Sequence, residues 1–381
     1  MSKKEFYFQE MMEQPFLFKS LFQRENKTIK NIVQKLYEKK INRIIFTGCG
    51  DAFDNAVYSA QCVNYLGHEE ISAIAIEPFE FIHQNISAYD NDAIVVFSVK
   101  GRSKLVLQML EKIQKRIYVI SVTNVVNSPI ATMSDDIIYL NAGEWIGPRT
   151  KVYTLSLYVG LLLAVALNGN KCLWKKLGNL FSSVDQILNY NLDWNDIVEC
   201  CNEKNGISFI EYGMNWSTAY MGRAKVKEVL RWDADIYELE EFAHTATVAP
   251  SKGRFTIFCC EESVLLSRIS EIVQLAKTNL EREVLVICNQ AVWNKMQVSG
   301  ISCKRILVPE VMREAEPILQ SIVLQMLIYY IARQNGIHPD YPPLRQLSRE
   351  TAFIENRKGE KKNVSTESQT LQLDLSAPTS L

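Results

Sequence analysis

The sequence predicts an α/β protein of two successive units, each a parallel sheet flanked by helices. Three observations predict this class. The strand-like segment RIIFT at 43–47 leads into the glycine turn Gly48–Asp51 and then into a helical stretch, which is the repeating unit of a parallel sheet. The segment AIVVF at 93–97 is apolar throughout, as a strand covered on both faces must be. The same order of strands and helices begins again near residue 207, which indicates an internal duplication.

The first unit alternates strand and helix patterns after two helical segments. Apolar residues recur at helical spacing over 4–24 and 27–38, and again after the glycine turn and over 104–115. The apolar run 152–167 is about four residues short of a membrane span, and Tyr153, Thr154 and Ser156 interrupt it. It therefore predicts a buried core helix. The predicted strands are 43–47, 71–76, 93–97, 117–121 and 137–140.

The second unit repeats this order after a polar segment at 189–206. Its predicted strands are 207–212, 255–259, 284–288 and 305–308, and its predicted helices include one around Glu228, one at 265–280 and a closing helix at 317–336. We expect one domain over 1–195 and a second over 196–350. The segment after residue 357 has almost no apolar side chains at first, so 357–381 is predicted to be a disordered tail.

Composition excludes several classes of protein. A formal net charge of −1 provides no basic field for nucleic acid or for an anionic membrane surface. The nine cysteines show no CxxC or Cys/His metal spacing, which favours free thiols in a reducing cytoplasm over a zinc site. The first residues carry charges with no apolar run behind them, so no signal peptide is predicted. We therefore expect a cytoplasmic protein.

Lys225, Glu228 and His244 are the candidates for proton transfer. Lys225 and Glu228 are three residues apart and share one face of a helix, and His244 is one of only four histidines in the chain. A carboxylate and an imidazole in one pocket form a general acid/base pair at neutral pH. By spacing alone, a solvated Lys–Glu ion pair is the stronger interpretation.

The segment Ser98–Ser103 is the candidate anion site. It follows a predicted strand, precedes a helix, and offers two hydroxyls, the small Gly101 and the cationic Lys100. Ligands of such sheets bind beyond the carboxyl ends of the strands, where helix N-termini attract phosphate. The alternative is a plain strand-to-helix turn with a serine cap, and the pattern alone does not separate the two.

Nine short segments of the chain follow one another in an order found in one protein family. The order resembles that of the double SIS (sugar isomerase) domain proteins, over about residues 5–352. These proteins include the isomerase half of glucosamine-6-phosphate synthase and the deglycases of fructosamine 6-phosphates. The segments are Glu13-Gln14-Pro15, Cys49-Gly50, Glu80-Phe81, Ser98–Ser103, Thr123-Asn124 with Ser128-Pro129, Thr150-Lys151, Gly222–Glu228, Glu241–His244, and Pro339-Asp340 with Leu347-Ser348-Arg349.

The resemblance implies two tandem flavodoxin-like domains, a sugar phosphate ligand, no metal or organic cofactor, and a homodimer with active sites at its interface. It implies that Glu228 moves a proton between C1 and C2, and that His244, often from the neighbouring subunit, assists. Lys225 is either catalytic or a structural partner of Glu228, and the structural role is preferred. The implied substrate-binding residues are Gly50, Asp51, Ser98, Lys100, Gly101, Ser103, Arg149, Thr150 and Arg349.

Four of these residues depart from the family pattern. Lys100 replaces a serine of the phosphate loop, and Arg149 precedes Thr150 where the synthase has serine. Asp51 stands where a threonine often contacts phosphate, and its charge repels an anion unless Lys100 or Arg102 offsets it. Arg349 replaces a lysine, and an arginine stays protonated and forms no imine.

The sequence favours a fructosamine-6-phosphate-type deglycase that works through an enediol or enolamine. This choice rests on Lys100, on the replaced closing lysine, and on the expected absence of a glutamine-hydrolysing domain. The first alternative is an aldose–ketose isomerase or deaminase of a hexosamine phosphate. The second is a regulator that senses a sugar phosphate without turnover.

Overall fold

The computed structural model describes residues 5–66, 70–84, 89–113, 117–144, 148–203, 205–248, 252–262, 265–297, 300 and 303–340. Over these residues the chain forms two five-stranded sheets in which all strand pairs are parallel. In each sheet the second strand lies on one side of the first strand, and the remaining three follow on the other side. The two sheets therefore share one topology, and the predicted pair of α/β units is confirmed.

The first unit begins with two helices, and its sheet follows. The strands are β1 (Arg43–Thr47), β2 (Ser72–Ala75), β3 (Asp92–Phe97), β4 (Tyr118–Thr123) and β5 (Asp136–Tyr139), in the spatial order β2-β1-β3-β4-β5. The helices are α1 (Phe6–Met12), α2 (Gln14–Glu38), α3 (Asp51–Leu66), α4 (Pro78–His83), α5 (Lys104–Ile113), α6 (Pro129–Thr132) and α7 (Lys151–Asn168). Three further helices, α8 (Lys171–Gly178), α9 (Leu180–Leu188) and α10 (Trp194–Val198), lead to the second sheet.

The second unit has the same alternation of strands and helices. Its strands are β6 (Ile207–Glu211), β7 (Ala234–Glu238), β8 (Phe255–Cys259), β9 (Glu283–Asn289) and β10 (Lys304–Val308), in the order β10-β9-β8-β6-β7. Its helices are α11 (Trp216–Lys225), α12 (Leu239–His244), α13 (Leu266–Gln274), α14 (Gln290–Gln297) and α15 (Glu316–Gln334). Short 3₁₀ turns lie at Gly213–Asn215, Ala246–Val248 and Arg313–Ala315, and wider π turns at Val226–Leu230 and Leu275–Asn279.

Two local predictions were wrong. The helical break lies at Glu13 rather than near residue 25, because Pro15 suits the first turn of a helix and α2 continues through 25–27. The prediction of four strands in the second unit missed β7. This strand lies at the edge of the sheet, only Ala234 of its five residues is buried, and so it lacks the apolar pattern of an inner strand.

The helices α7 and α15 form the apolar centre of the molecule. Within the described ranges these are the segments long and apolar enough to cross a membrane, Lys151–Asn168 and Arg313–Gln334, but 89% and 94% of them is buried in the fold. Their apolar side chains pack in one core with both sheets. The prediction of a buried core helix at 152–167 is thus confirmed.

The two units pack against each other through α3, α7 and α11. The Tyr153 hydroxyl of α7 donates to the carbonyl of Ser217 at 2.8 Å. The amide of Gln61 on α3 donates to the carbonyl of Gly213 at 3.2 Å. These bonds join α7 and the C-terminal half of α3 to the start of α11, which carries Lys225.

Several predicted features lie outside the part of the chain that the structure describes or are not tested by it. Arg349 and the tail 357–381 fall outside the described residues, as do 145–147 before Arg149. The domain boundary between residues 195 and 196 stays a prediction. All nine cysteines lie in described ranges and are free thiols.

Candidate active site

A cavity of about 270 Å³ opens at the carboxyl edge of the first sheet, between the ends of β1 and β3. This is the point where the strand order reverses, and such points are the usual ligand sites of open α/β sheets. Its walls include five of the residues predicted to bind substrate: Gly50, Ser98, Lys100, Ser103 and Arg149. Residues from three separate segments therefore meet in one place.

The loop after β3 is held in a fixed shape by backbone hydrogen bonds. The amide of Gly101 donates to the carbonyl of Ser98 at 2.9 Å, and the amide of Ile130 donates to the carbonyl of Gly101 at 3.1 Å. Gly101 has φ +61°, and a Cβ at this position would lie 2.0 Å from Oγ of Ser128. Only glycine fits here, because both the backbone conformation and the space exclude a side chain.

Two helix N-termini reach the cavity. Helix α3 begins at Asp51, directly after the cavity residue Gly50, and α5 begins at Lys104, which itself lines the cavity. The first amides of a helix and its dipole favour a bound anion. With Lys100 and Arg149 in the wall, the cavity suits a phosphate group.

Cys49 lies in the same wall but is a poor nucleophile. Its Sγ accepts a hydrogen bond from Oγ of Ser103 at 3.3 Å. Burial raises the pKa of the Cys49 thiol, and the bond from Ser103 offsets this only in part. The thiolate, which is the reactive form, is thus disfavoured.

Lys225 and Glu228 form a close ion pair, as their spacing predicted. Nζ of Lys225 lies 2.6 Å from Oε2 of Glu228 and 3.5 Å from Oδ2 of Asp51. The Lys225 side chain is fully buried, whereas that of Glu228 is 42% exposed. The pair is therefore not a solvated surface bridge, and its carboxylate remains reachable from solvent.

The ionisation of this group follows from its neighbours. Burial disfavours the charge of Lys225, but Asp51 and Glu228 together outweigh burial and raise its pKa. Burial likewise opposes the charge of Asp51, but Lys225 and Arg149 outweigh it and lower the pKa of that carboxyl. Lys225 is therefore an ammonium and Asp51 a carboxylate at neutral pH. Lys225 and Arg149 thus offset the charge of Asp51.

Glu228 lies within a π turn that ends α11. This wider turn spans Val226–Leu230, and Arg231 then adopts the left-handed conformation with φ 65°. Such turns are frequent at functional sites, because the extra residue re-aims neighbouring side chains. The buried Trp232 follows, and β7 begins two residues later.

His244 is the last residue of α12 and points to solvent. Its side chain is 79% exposed, and Nε2 lies 3.9 Å from Oε2 of Glu240. The single chain thus shows His244 paired with Glu240 on its own helix. A role for His244 at Glu228 stays a prediction.

Thr150 lies in a buried polar network rather than in the wall of the cavity. Its hydroxyl donates to Oε2 of Glu10 at 3.4 Å, and its carbonyl accepts from the amide of Gln325 at 3.3 Å. Next to it, Lys151 binds Oε2 of Glu13 at 2.6 Å. This network ties α1, α7 and α15 together at the base of the site.

Asp54 is a site residue that the sequence reasoning missed. It is buried one turn beyond Asp51 on α3, and burial together with the charge of Asp51 raises its pKa to about 8. The spacing of Asp51 and Asp54 at i, i+3 on an expected helix was an available signal.

The corresponding edge of the second sheet contains an internal ion pair. Glu261, which follows β8, is fully buried, and its Oε1 lies 2.8 Å from Nη2 of Arg313. A Cβ on Gly213, which follows β6, would lie 2.9 Å from the same oxygen. A carboxylate of the protein thus lies between the ends of β6 and β8, at the position where the first sheet has its cavity. Among the described residues, no group of three or more His, Cys, Asp or Glu side chains is placed to hold a metal ion.

Comparison with known proteins agrees with the fold. Residues 35–166 match the family model of the SIS domain. The fold as a whole is that of two tandem flavodoxin-like α/β domains, and the SIS match covers the first of them.

Relatives and solved structures extend the likeness to both units. Glutamine–fructose-6-phosphate aminotransferase (isomerizing) of Caldanaerobacter subterraneus subsp. tengcongensis is 24% identical over 323 residues, which are 80% of this chain and 51% of that protein. The chain spans about half the length of the curated relatives it matches. The C-terminal domain of glucosamine-fructose-6-phosphate aminotransferase from Francisella tularensis superposes with a TM-score of 0.78 at 19% identity, covering 90% of this chain and 99% of that one. Glucosamine-6-phosphate deaminase from Thermotoga maritima gives 0.70 at 20% identity, covering 88% and 97%.

Proposed function

We propose that the protein is an enzyme that acts on a phosphorylated sugar, and specifically a deglycase of the fructosamine-6-phosphate type. The observation that carries the proposal is the meeting of two sites. The anion cavity of the first unit and the Lys225–Glu228 pair of the second are joined at Asp51, which follows cavity residue Gly50 and contacts Lys225. A phosphate held in the cavity would bring the rest of a sugar toward Glu228.

In this proposal the phosphate is bound by the hydroxyls of Ser98 and Ser103, by Lys100 and Arg149, and by the two helix N-termini. Arginine suits this task because its planar fork binds two phosphate oxygens at once. A rigid loop around Gly101 fixes the position of the phosphate and therefore of the sugar carbons, which lowers the entropic part of the barrier.

Glu228 is the proposed base. It takes a proton from C1 of the open-chain fructosamine while the substrate's own ammonium group passes a proton to the C2 oxygen, which gives an enolamine across C1 and C2. Glu228 then returns its proton to C2, and water hydrolyses the resulting iminium at C1 to give an aldose phosphate and the amine in its ammonium form. Lys225 does not act as a base, because it stays protonated between Asp51 and Glu228. It orients the Glu228 carboxylate instead.

We further propose a cytoplasmic homodimer in which His244 of one subunit serves the Glu228 site of the other. Exposure of His244 in the single chain supports this arrangement. Mixing two inactive variants, Glu228→Gln and His244→Asn, tests it. Heterodimers with one intact site should restore about one quarter of wild-type activity after random subunit exchange. No recovery in a sample shown to contain heterodimers would contradict a shared site.

The alternative enzyme is an isomerase or deaminase of a hexosamine phosphate, and the names of the aminotransferase and deaminase above favour it. Both reactions use the same proton transfer, so only the substrate separates them. The purified chain should be assayed with fructosamine 6-phosphates, glucosamine 6-phosphate and fructose 6-phosphate, with release of amine, ammonia or aldose phosphate as the readout.

Glu228→Gln separates an enzyme from a non-catalytic sugar-phosphate sensor. An enzyme should lose turnover by about a hundredfold or more while it still binds substrate, because general base catalysis contributes 10²–10⁴. Exposed Glu271→Gln is the matched control. Full activity of Glu228→Gln would refute the assignment of Glu228 as the base. If the wild-type protein binds sugar phosphates but turns over none of the tested substrates, the result would favour the sensor.

A further inference from the structure

Asp51 connects the anion cavity with the proton-transfer pair and carries a charge that the cavity alone does not need. Its neighbours in sequence, Gly50 and Ala52, both line the cavity, and its own Oδ2 lies 3.5 Å from Nζ of Lys225. The Asp51 side chain is 15% exposed, so it is partly open to a ligand. A carboxylate at the edge of a phosphate site repels the bound phosphate, and a favourable interaction of Asp51 with another part of the ligand would offset this repulsion.

Asp51 shares its nearest cations with another carboxylate and with the cavity. Two carboxylates, Asp51 and Glu228, face two cations, Lys225 and Arg149. Arg149 also lines the cavity, where a phosphate would pair with it. Lys100 and Lys104 also line the cavity and would share the charge of the phosphate. Engagement of Arg149 by phosphate would nevertheless leave Asp51 and Glu228 to share Lys225 as their nearest cation.

We propose that Asp51 binds the protonated amine of the substrate, so that the site selects cationic amino-sugar phosphates over neutral hexose phosphates. The inference rests on the proposed function, because it assumes a phosphate in the cavity. A substrate that carries both a phosphate and an ammonium group restores the charge balance: its phosphate takes Arg149, and its ammonium replaces that cation at Asp51.

The other acid beside Asp51 on α3 does not change this pairing. Asp54 lies one turn further along α3 and is buried; burial and Asp51 keep it protonated at neutral pH, so it adds no charge. Arg223 and Glu77 also act on Asp54 with opposite signs. Asp51 is therefore the carboxylate that remains for the ligand.

Three unreactive probes test the inference on the full chain by calorimetric titration. They are glucitol 6-phosphate, 1-amino-1-deoxyglucitol 6-phosphate and its N-acetyl derivative. None has the sugar aldehyde or ketone at C1 or C2 on which the proposed reaction depends, so binding is measured without turnover. We expect the amine to bind about tenfold tighter than the neutral alditol, and acetylation to abolish the gain, because one charge-assisted contact is worth about this ratio.

Asp51→Asn should reduce the preference for the amine to less than about twofold while glucitol 6-phosphate binds no more weakly, since a repulsive charge is lost. Exposed Asp90→Asn is the matched control and should keep the preference. Equal binding of the amine and the neutral alditol by the wild type would overturn the Asp51 inference and leave the sugar-phosphate function standing. A preference that survives Asp51→Asn would overturn it too. If no probe and no inorganic phosphate bind, both proposals fail. The N-acetyl comparison uses the unaltered protein, so the test does not depend on the folding of a variant.

Discussion

Replacement of Asp54 by asparagine should stabilise the protein relative to the wild type, and this difference should grow as the pH rises. The Asp54 carboxyl is buried between α3 and its neighbours, and its pKa in the folded protein is about 8, against about 4 in an unfolded chain. Between these two values the folded state holds a proton that the unfolded state releases. Stability therefore falls with rising pH, by about 1.4 kcal/mol per pH unit from this one group.

Asparagine has nearly the shape of the protonated acid and does not titrate. The difference in unfolding free energy between Asp54→Asn and the wild type should thus grow by about 2–3 kcal/mol from pH 5 to pH 7. It should level off above pH 8, where the folded-state carboxyl also ionises. Burial also raises the pKa values of Glu211 and Glu316 to about 8, but their effects cancel in the difference.

Urea unfolding at pH 5, 6, 7, 8 and 9 gives these free energies from the midpoint and the slope of the transition. Exposed Asp90→Asn serves as the control and should follow the wild type at every pH. If the curves for Asp54→Asn and the wild type run parallel from pH 5 to pH 8, Asp54 is not the buried, protonated acid that the structure indicates.

Three further substitutions test other parts of the structure. Gly101→Ala should weaken the binding of inorganic phosphate by about tenfold or more in calorimetric titrations, because its Cβ would lie 2.0 Å from Oγ of Ser128. Gly169 has a similar φ but open space around it, so the control Gly169→Ala should leave phosphate affinity unchanged. Gly222→Ala should lower the free energy of unfolding by about 1–3 kcal/mol in thermal unfolding, because the added Cβ would lie 2.5 Å from the ring of Phe209 in β6. Alanine favours helices over glycine, so a stabilised variant would contradict this packing. Glu316→Gln should raise the melting temperature at pH 8 more than at pH 5, since burial raises the pKa of this acid to about 8, and equal shifts would argue against its burial.

The Glu261–Arg313 ion pair distinguishes the edge of the second sheet from that of the first. The two sheets share one strand order, but Glu261 and Arg313 lie where the first unit has its cavity. Arg313 also stacks on Tyr65 of α3, with its guanidinium 4.6 Å from the ring centroid. Lys225 of the second unit thus contacts Asp51 of the first, and Arg313 at the edge of the second sheet helps to hold the units together.

The sequence by itself determined the features that depend on local pattern. Buried parallel strands such as β1 and β3 must be apolar on both faces, so their apolar runs located them within a residue or two. The position of Ser98–Ser103 at the carboxyl edge followed from the strand before it and the helix after it. The shared face of Lys225 and Glu228 followed from helical spacing. The edge strand β7 was not predicted because it has no such apolar pattern.

Only the tertiary structure decided which distant residues meet. Asp51 and Lys225 are 174 positions apart, and Thr150 lies 140 positions from Glu10. No periodicity joins such pairs, because their contact depends on how α3, α7 and α11 pack between the two sheets. The same packing buries Lys225 completely and so turns an ordinary i, i+3 pair into a charged group shared by two carboxylates. Burial decides that outcome, since it is the removal of water that makes neighbouring charges strong enough to fix one another's ionisation.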